Sequence, residues 1–245
     1  MSMRDSARMS DDAPHAVSWL AGPAAPTLAP GNAHIWRAAL DAVAADVLDG
    51  LSADEQQRAA AITEERERGS WSRSRGVLRA LLGRYLRCAP GDVQLTVDAH
   101  GKPELSSDAP ARSPLFFNLS HSQRWALYAF SADGPVGVDV QAPRGAGARA
   151  SVDHIALARR AFGEHEAQRL SLVEPARREW EFLRAWTLHE ARLKLFGAGI
   201  GASGLARVDA ADTAPWTVEL DVGNGCAAAL ALGSPAGDLR LWDWA

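Results

Sequence analysis

The clearest helical period in the chain lies after Trp71, where Val77, Leu78, Leu81, Leu82, Tyr85 and Leu86 recur at helical spacing and share one broad apolar face. Arg73, Arg75, Arg79 and Arg84 lie among or beside them. Upstream, Ser52 and Glu55 stand three apart as a capping box, a start signal that contributes about 1 kcal/mol. The helix it opens is expected to run toward Arg68, with Gly69-Ser70 as the interruption before a second helix from Trp71, which Pro90-Gly91 ends. Short apolar runs bounded by turn residues predict strands at Val93–Val97, Leu115–Leu119 and Trp125–Phe130, and His34–Leu40 is compatible with another. Turn chemistry at Ser131–Pro135 then precedes a fresh apolar strand, Val136–Val140. A loop at Gly145–Ala150 follows, then helices around Ala156–Phe162 and Arg178–Phe196. Strands around Thr217–Leu220, Ala227–Leu232 and Leu239–Trp242 close the chain. Met1 to Gly31, rich in Ser, Ala, Asp and Pro without an apolar period, reads as a mobile leader. The pattern predicts a mixed α+β protein with an N-terminal lobe over 32–133 and a C-terminal lobe over 134–245. Both halves read strand, helices, strands, a hint of duplication although no long repeat is visible.

Composition narrows the class. The 245 residues are 47% hydrophobic and 23% charged, as in an ordinary globular protein able to bury a core without staples. A net charge of −4 offers no global attraction to nucleic acid, so any phosphate site must be local. The two cysteines, Cys88 and Cys226, lack metal-ligand neighbours, which fits a reducing cytoplasm. The apolar stretch Ala16–Ala25 is broken by Ser18, Gly22 and Pro23, so neither a signal peptide nor a membrane span is expected.

Three stretches carry candidate chemistry. Asp139 interrupts the strand of Val136, Val138 and Val140 and points to the face those valines leave; it either ends the strand in water or holds a compensating charge. On the helix Arg184–Gly197, Phe182, Trp186, His189, Leu193 and Phe196 share one stripe, while Glu190 and Lys194 sit one turn apart on another. That pair is either a solvated ion pair worth roughly 0.3–0.5 kcal/mol, or a carboxylate for a hard cation beside an ammonium for a phosphate oxygen. In Phe116–Ser122 a hydrophobic strand is expected to run into a polar turn whose Ser120 and His121 either satisfy their own backbone or cradle phosphate. Adjacent Ser and His, without a Gly-x-Ser-x-Gly turn, do not make a hydrolase dyad. Lys102 sits on the turn Gly101-Lys102-Pro103.

In this order, Gly101-Lys102-Pro103, Phe117–Ser122, Gly137-Val138-Asp139-Val140 and Trp186–Lys194 resemble the 4'-phosphopantetheinyl transferases, specifically the larger single-chain type that activates polyketide and nonribosomal peptide synthases. The likeness spans roughly Leu51 to Phe196, and the W-x-x-x-E-x-x-x-K helix after a G-V-D strand is its most specific part. It implies two similar lobes about a pseudo-twofold axis with coenzyme A in the cleft between them. It implies Mg²⁺ held by Asp139 and Glu190, with Lys194, Ser120 and His121 on coenzyme A phosphates and Lys102 and Pro103 beside the nucleotide. Arg58 and Arg75 match basic family positions in the first lobe, and Glu190, Lys194 and Asp139 would carry the catalysis. The implied partners are coenzyme A and apo acyl or peptidyl carrier proteins, not nucleic acid or membrane, and the implied state is a cytoplasmic monomer.

Two positions depart from the family pattern. Gln141 stands where many members have a Glu able to join the metal shell, and His189 stands where Lys is common. These motivate one rival, a coenzyme A-binding homologue without transfer activity. A metal-dependent nuclease fits poorly, because its Glu and Lys would lie two apart on a strand rather than four apart on a helix.

Overall fold

The structure, a computed structural model, describes residues 18–97, 101–106, 114–144, 152–197 and 215–245. In chain order the strands are β1 (Leu20–Ala21), β2 (Asn32–Ala39), β3 (Leu95–Val97), β4 (Pro103–Leu105), β5 (Phe116–Ser122), β6 (Trp125–Ser131), β7 (Val136–Gln141), β8 (Trp216–Glu219), β9 (Ala227–Leu232) and β10 (Asp238–Asp243). The helices are α1 (Ala53–Ala61), α2 (Glu65–Leu86), α3 (His154–Phe162), α4 (Glu164–Ser171) and α5 (Pro175–Leu195). The fold is α+β, as expected.

A five-stranded sheet of order β1-β10-β2-β6-β5 and a three-stranded sheet of order β7-β9-β8 supply the frame, with β3-β4 as a separate ribbon. Strand periodicity sends alternate residues of the larger sheet into two cores. Trp36, Tyr128 and Phe130 pack under Val77, Leu78 and Leu81 of α2. Ile35, Leu127 and Ala129 on the opposite face meet Val136, Val138 and Val140 of β7. The valine face of β7 is therefore filled by the first sheet. Its other face, carrying Gly137, Asp139 and Gln141, is left to α5, whose Ala191 and Leu195 pack on Ala229 and Ala231 of β9.

Several boundaries differ from the sequence reading. The break between the first two long helices falls at Ile62–Glu64, and α2 runs through Gly69-Ser70 without interruption. The Glu64 carboxylate accepts the backbone N–H groups of Arg66 and Glu67, so a start signal there outweighs the cost of about 1 kcal/mol for a glycine within a helix. The capping box at Ser52 and Glu55 forms as expected. The Phe116–Ser122 stretch is strand throughout, with the turn displaced to Gln123-Arg124. Of the run Val93–Val97 only Leu95–Val97 is strand, and α4 is an additional short helix opened after Gly163.

The expected leader, Met1–Gly31, is ordered where it is described. β1 pairs in parallel with β10, and the Trp19 indole donates to the Asp221 carbonyl at 2.5 Å. Residues 1–17 and the expected loop Gly145–Ala150 lie outside the described residues. β10, expected in the C-terminal lobe, instead joins the first sheet beside β2, in register from Asp238 opposite Asn32 to Asp243 opposite Arg37.

Candidate active site

β5 and β7 lie side by side at the edges of their sheets, and α5 crosses β7 at its glycine. A Cβ on Gly137 would stand 1.9 Å from the Ala191 carbonyl oxygen, so this crossing requires the missing side chain. The close approach lets Lys194 reach over the strand. Its ammonium donates to the Val138 carbonyl at 3.1 Å and to Asp139 Oδ1 at 2.7 Å.

Asp139 is 2% exposed and accepts three side-chain hydrogen bonds, which leaves Oδ2 a lone pair. Besides Lys194, the Ser120 hydroxyl donates to Oδ1 at 2.7 Å and the Gln141 amide to Oδ2 at 3.1 Å. The water-facing alternative for Asp139 is thereby corrected: burial demands compensation, and Lys194 with two neutral donors provides it. Lys194 pairs with Asp139 rather than Glu190, so the solvated i,i+4 pair is corrected as well.

Glu190 is also 2% exposed, and among the described residues its Oε1 has no hydrogen-bond partner. Burial and then the Asp139 carboxylate push its pKa above the usual carboxylate range, against the opposing pull of Lys194. Two buried carboxylates, one with an orphaned oxygen, form an electron-rich site that its own donors leave incomplete. Magnesium commonly uses one or two carboxylates together with waters and phosphate oxygens, and Asp139 with Glu190 fits that demand. No cluster of three or more His, Cys, Asp or Glu able to hold a metal occurs among the described residues, and Gln141 spends its amide on Asp139.

The remaining candidates surround this centre unevenly. Lys102 donates to the Lys194 backbone carbonyl at 3.3 Å, which places it at the C-terminal end of α5. Pro103 opens β4 and lines, with Lys102, Phe116 and Val136, a cavity of about 280 Å³. His121 follows Ser120 on β5; burial lowers its pKa, Lys194 and Arg75 lower it further, and Glu67 opposes them. These effects favour its neutral imidazole over the protonated form. Arg75 is buried, 3.5 Å from Glu55, and its guanidinium lies 5.4 Å from the Trp71 ring centroid, with that of Arg58 at 5.8 Å. Glu55, the capping-box residue, also binds Arg79. His189 packs edge-on against Phe162 at 5.4 Å, its pKa lowered by burial and Arg192, and serves the aromatic layer between α3 and α5.

Sequence reasoning passed over the polar alternation Asn118, Ser120, Ser122. Their side chains accept the backbone N–H groups of Val138, Val140 and Ala142 at 3.1, 3.4 and 3.0 Å. The period of two was the available signal, obscured by treating the segment as a turn. Trp71 and Glu55, which organise Arg58 and Arg75, carried no signal beyond their helix positions.

Comparison with known proteins gives the family of the chain. Residues 135–231 match the family model of the 4'-phosphopantetheinyl transferase superfamily. The chain is 34% identical over 241 residues to the 4'-phosphopantetheinyl transferase HetI of Nostoc, covering 93% of this chain and 98% of that protein. It is 36% identical over 160 residues to a putative 4'-phosphopantetheinyl transferase of Synechocystis, covering 64% and 61% of the two chains. It is 24% identical over 124 residues to the 4'-phosphopantetheinyl transferase Sfp of Bacillus subtilis, covering 51% and 50%.

Proposed function

The chain belongs to the 4'-phosphopantetheinyl transferases, and from that premise we propose that it moves the 4'-phosphopantetheine arm of coenzyme A to a serine of an apo acyl or peptidyl carrier protein, in a Mg²⁺-dependent reaction. The observation that carries the reading is the buried pair Asp139 and Glu190, the first held by Lys194 and Ser120 and the second with an open oxygen. Asp139 and Glu190 would hold Mg²⁺, which when bound supplies charge neutralisation at the pyrophosphate.

The chain's own residues supply the rest. In the transfer, the carrier serine oxygen forms a bond to the phosphorus that bears the pantetheine arm, and the bond from that phosphorus to the leaving 3',5'-ADP oxygen breaks. The serine proton goes to a carboxylate, for which Glu190, with its open Oε1, is the candidate. Lys194 brings a fixed positive charge to the phosphate that departs. His121 offers a neutral N–H to a phosphate oxygen. Ser120 spends its single O–H on Asp139, so it reaches a phosphate oxygen only by giving up that bond. Lys102, Pro103, Arg58 and Arg75 are assigned to the nucleotide and its phosphates, and Trp71 keeps the two guanidinium groups near its ring.

The proposal includes a two-lobed arrangement divided near 133–134, with β10 returning to the sheet of the first lobe, service to secondary-metabolite synthases, and a monomeric, cytoplasmic enzyme. Two free cysteines support the reducing compartment, and no helix among the described residues is long and apolar enough to cross a membrane.

Intact-protein mass spectrometry of an apo carrier protein incubated with this protein, coenzyme A and Mg²⁺ tests the reading. The expected result is a gain of the phosphopantetheine mass, abolished by chelator. Coenzyme A binding without a gain on any of several carriers would mark a homologue without transfer activity.

A further inference from the structure

We propose that Asn118 and Ser122 are positioning residues for the Asp139–Glu190 site, and that with Ser120 they peg β7 to β5 so as to set where the Asp139 carboxylate stands. The inference rests on the metal and coenzyme A reading above and deepens it.

β5 is the edge of the five-stranded sheet and β7 the edge of the three-stranded one, and no backbone ladder joins them. The junction is nevertheless regular. Three acceptors two residues apart on β5, at 118, 120 and 122, meet three N–H donors two residues apart, at 138 and 140 on β7 and at 142 just past its end. The constant offset means that the strands run in parallel and in phase, with side chains taking the place of carbonyls. A ladder would set the strands about 4.8 Å apart. Here side chains bridge them instead, and the Ser120 hydroxyl both accepts from Val140 N and donates to Asp139 Oδ1.

Asp139 lies between the first two pegged residues, so its backbone is pinned on both sides before Lys194 or Ser120 touches its side chain. Asn118 secures the N-terminal side at Val138, whose carbonyl also accepts from Lys194. Ser122 secures the far side at Ala142, next to Gln141, whose amide holds Asp139 Oδ2. Neither Asn118 nor Ser122 bonds to Asp139 or Glu190. Their action on the carboxylates is therefore indirect, through the strand.

The test compares the unsubstituted protein with Asn118→Ala, Ser122→Ala and Ser122→Thr. Mn²⁺ binding in the presence of coenzyme A is read by electron paramagnetic resonance of the free ion, coenzyme A binding in chelator by calorimetry, and folding by circular dichroism. The alanine variants are expected to bind Mn²⁺ at least about tenfold more weakly, as loss of outer-sphere support does elsewhere, with metal-free coenzyme A affinity within about twofold. Ser122→Thr, which keeps the hydroxyl, is expected to restore Mn²⁺ affinity. Should Asn118→Ala fail to fold because it orphans the Val138 N–H, Ser122→Ala and Ser122→Thr decide. Folded alanine variants with parental Mn²⁺ affinity, or with metal-free coenzyme A binding equally weakened, would overturn the inference. An unsubstituted protein that binds coenzyme A but no Mn²⁺ would overturn the metal-site reading beneath it, a separate result.

Discussion

Glu190 is the residue at which stability and activity pull in opposite directions. Its pKa is raised in the folded protein, so metal-free stability is fullest where Glu190 is protonated in both states, below the ordinary glutamate value near 4.3, and declines as pH climbs through the raised value. Glu190→Gln removes the buried charge. In chelator at neutral pH it should be about 0.5–2 kcal/mol more stable than the parent, read by urea denaturation, with a flatter pH dependence. The same variant should lose at least about 10²-fold in carrier-protein modification, because metal-linked charge stabilisation goes with the carboxylate. An unchanged or lowered stability would mean that the orphaned Oε1 finds compensation in solution. Asp139→Asn should lose activity to a similar degree, about 10²-fold, without gaining stability, since Lys194 would then face a neutral partner. Asp139 stood out by interrupting a valine strand and Glu190 by its place on the helix, and the family resemblance set them together as candidates. Their pairing was not legible: Lys194 sits one turn from Glu190, yet its ammonium reaches across to the Val138 carbonyl and Asp139 carboxylate of β7.

At the level of elements, two junctions set the geometry of the site. The first is the crossing of α5 on β7 at Gly137. Gly137→Ala would press a methyl group into the Ala191 carbonyl, which is backbone and cannot rotate aside, so α5 must lift. The expected loss is about 3 kcal/mol of unfolding free energy in urea, together with activity. A variant that unfolds at the parental urea concentration would show that the crossing has slack. The second junction is the start of α1, where Glu55 serves both the capping box and the pair Arg75 and Arg79. Glu55→Gln retains a back-bonding side chain but not the charge for two buried guanidinium groups. It should destabilise by about 3 kcal/mol, well beyond the roughly 1 kcal/mol of a lost cap, as seen by thermal denaturation. The capping box was plain in the sequence. That Glu55 also neutralises α2 depended on how α1 folds back.

At the scale of the whole molecule, β10 closes the first sheet from the far end of the chain. It lies between β1 and β2, in parallel with both. Arg37 of β2 binds the Asp243 carboxylate at 2.6 Å and lies 4.5 Å from the Trp19 ring centroid, tying three distant segments together. Truncation before Asp238 would bare the edge of β2 and uncover Trp36, whose indole ring packs against Trp242 at 4.9 Å. The truncated chain is expected to lose its cooperative thermal transition in circular dichroism. A retained transition would show that the first sheet closes without its last partner. The sequence by itself determined the apolar face of α2, the capping box, most of the strands and the ordered motifs that mark the family. Each of these is written in residues close together along the chain, where spacing and turn chemistry act directly. Only the tertiary structure decided that α2 passes through Gly69-Ser70, that β10 crosses to the first sheet and that Lys194 faces Asp139. It alone also decided that side chains peg β5 to β7. Those outcomes depend on which edges and charges distant segments bring together, and burial, not local preference, selects among them.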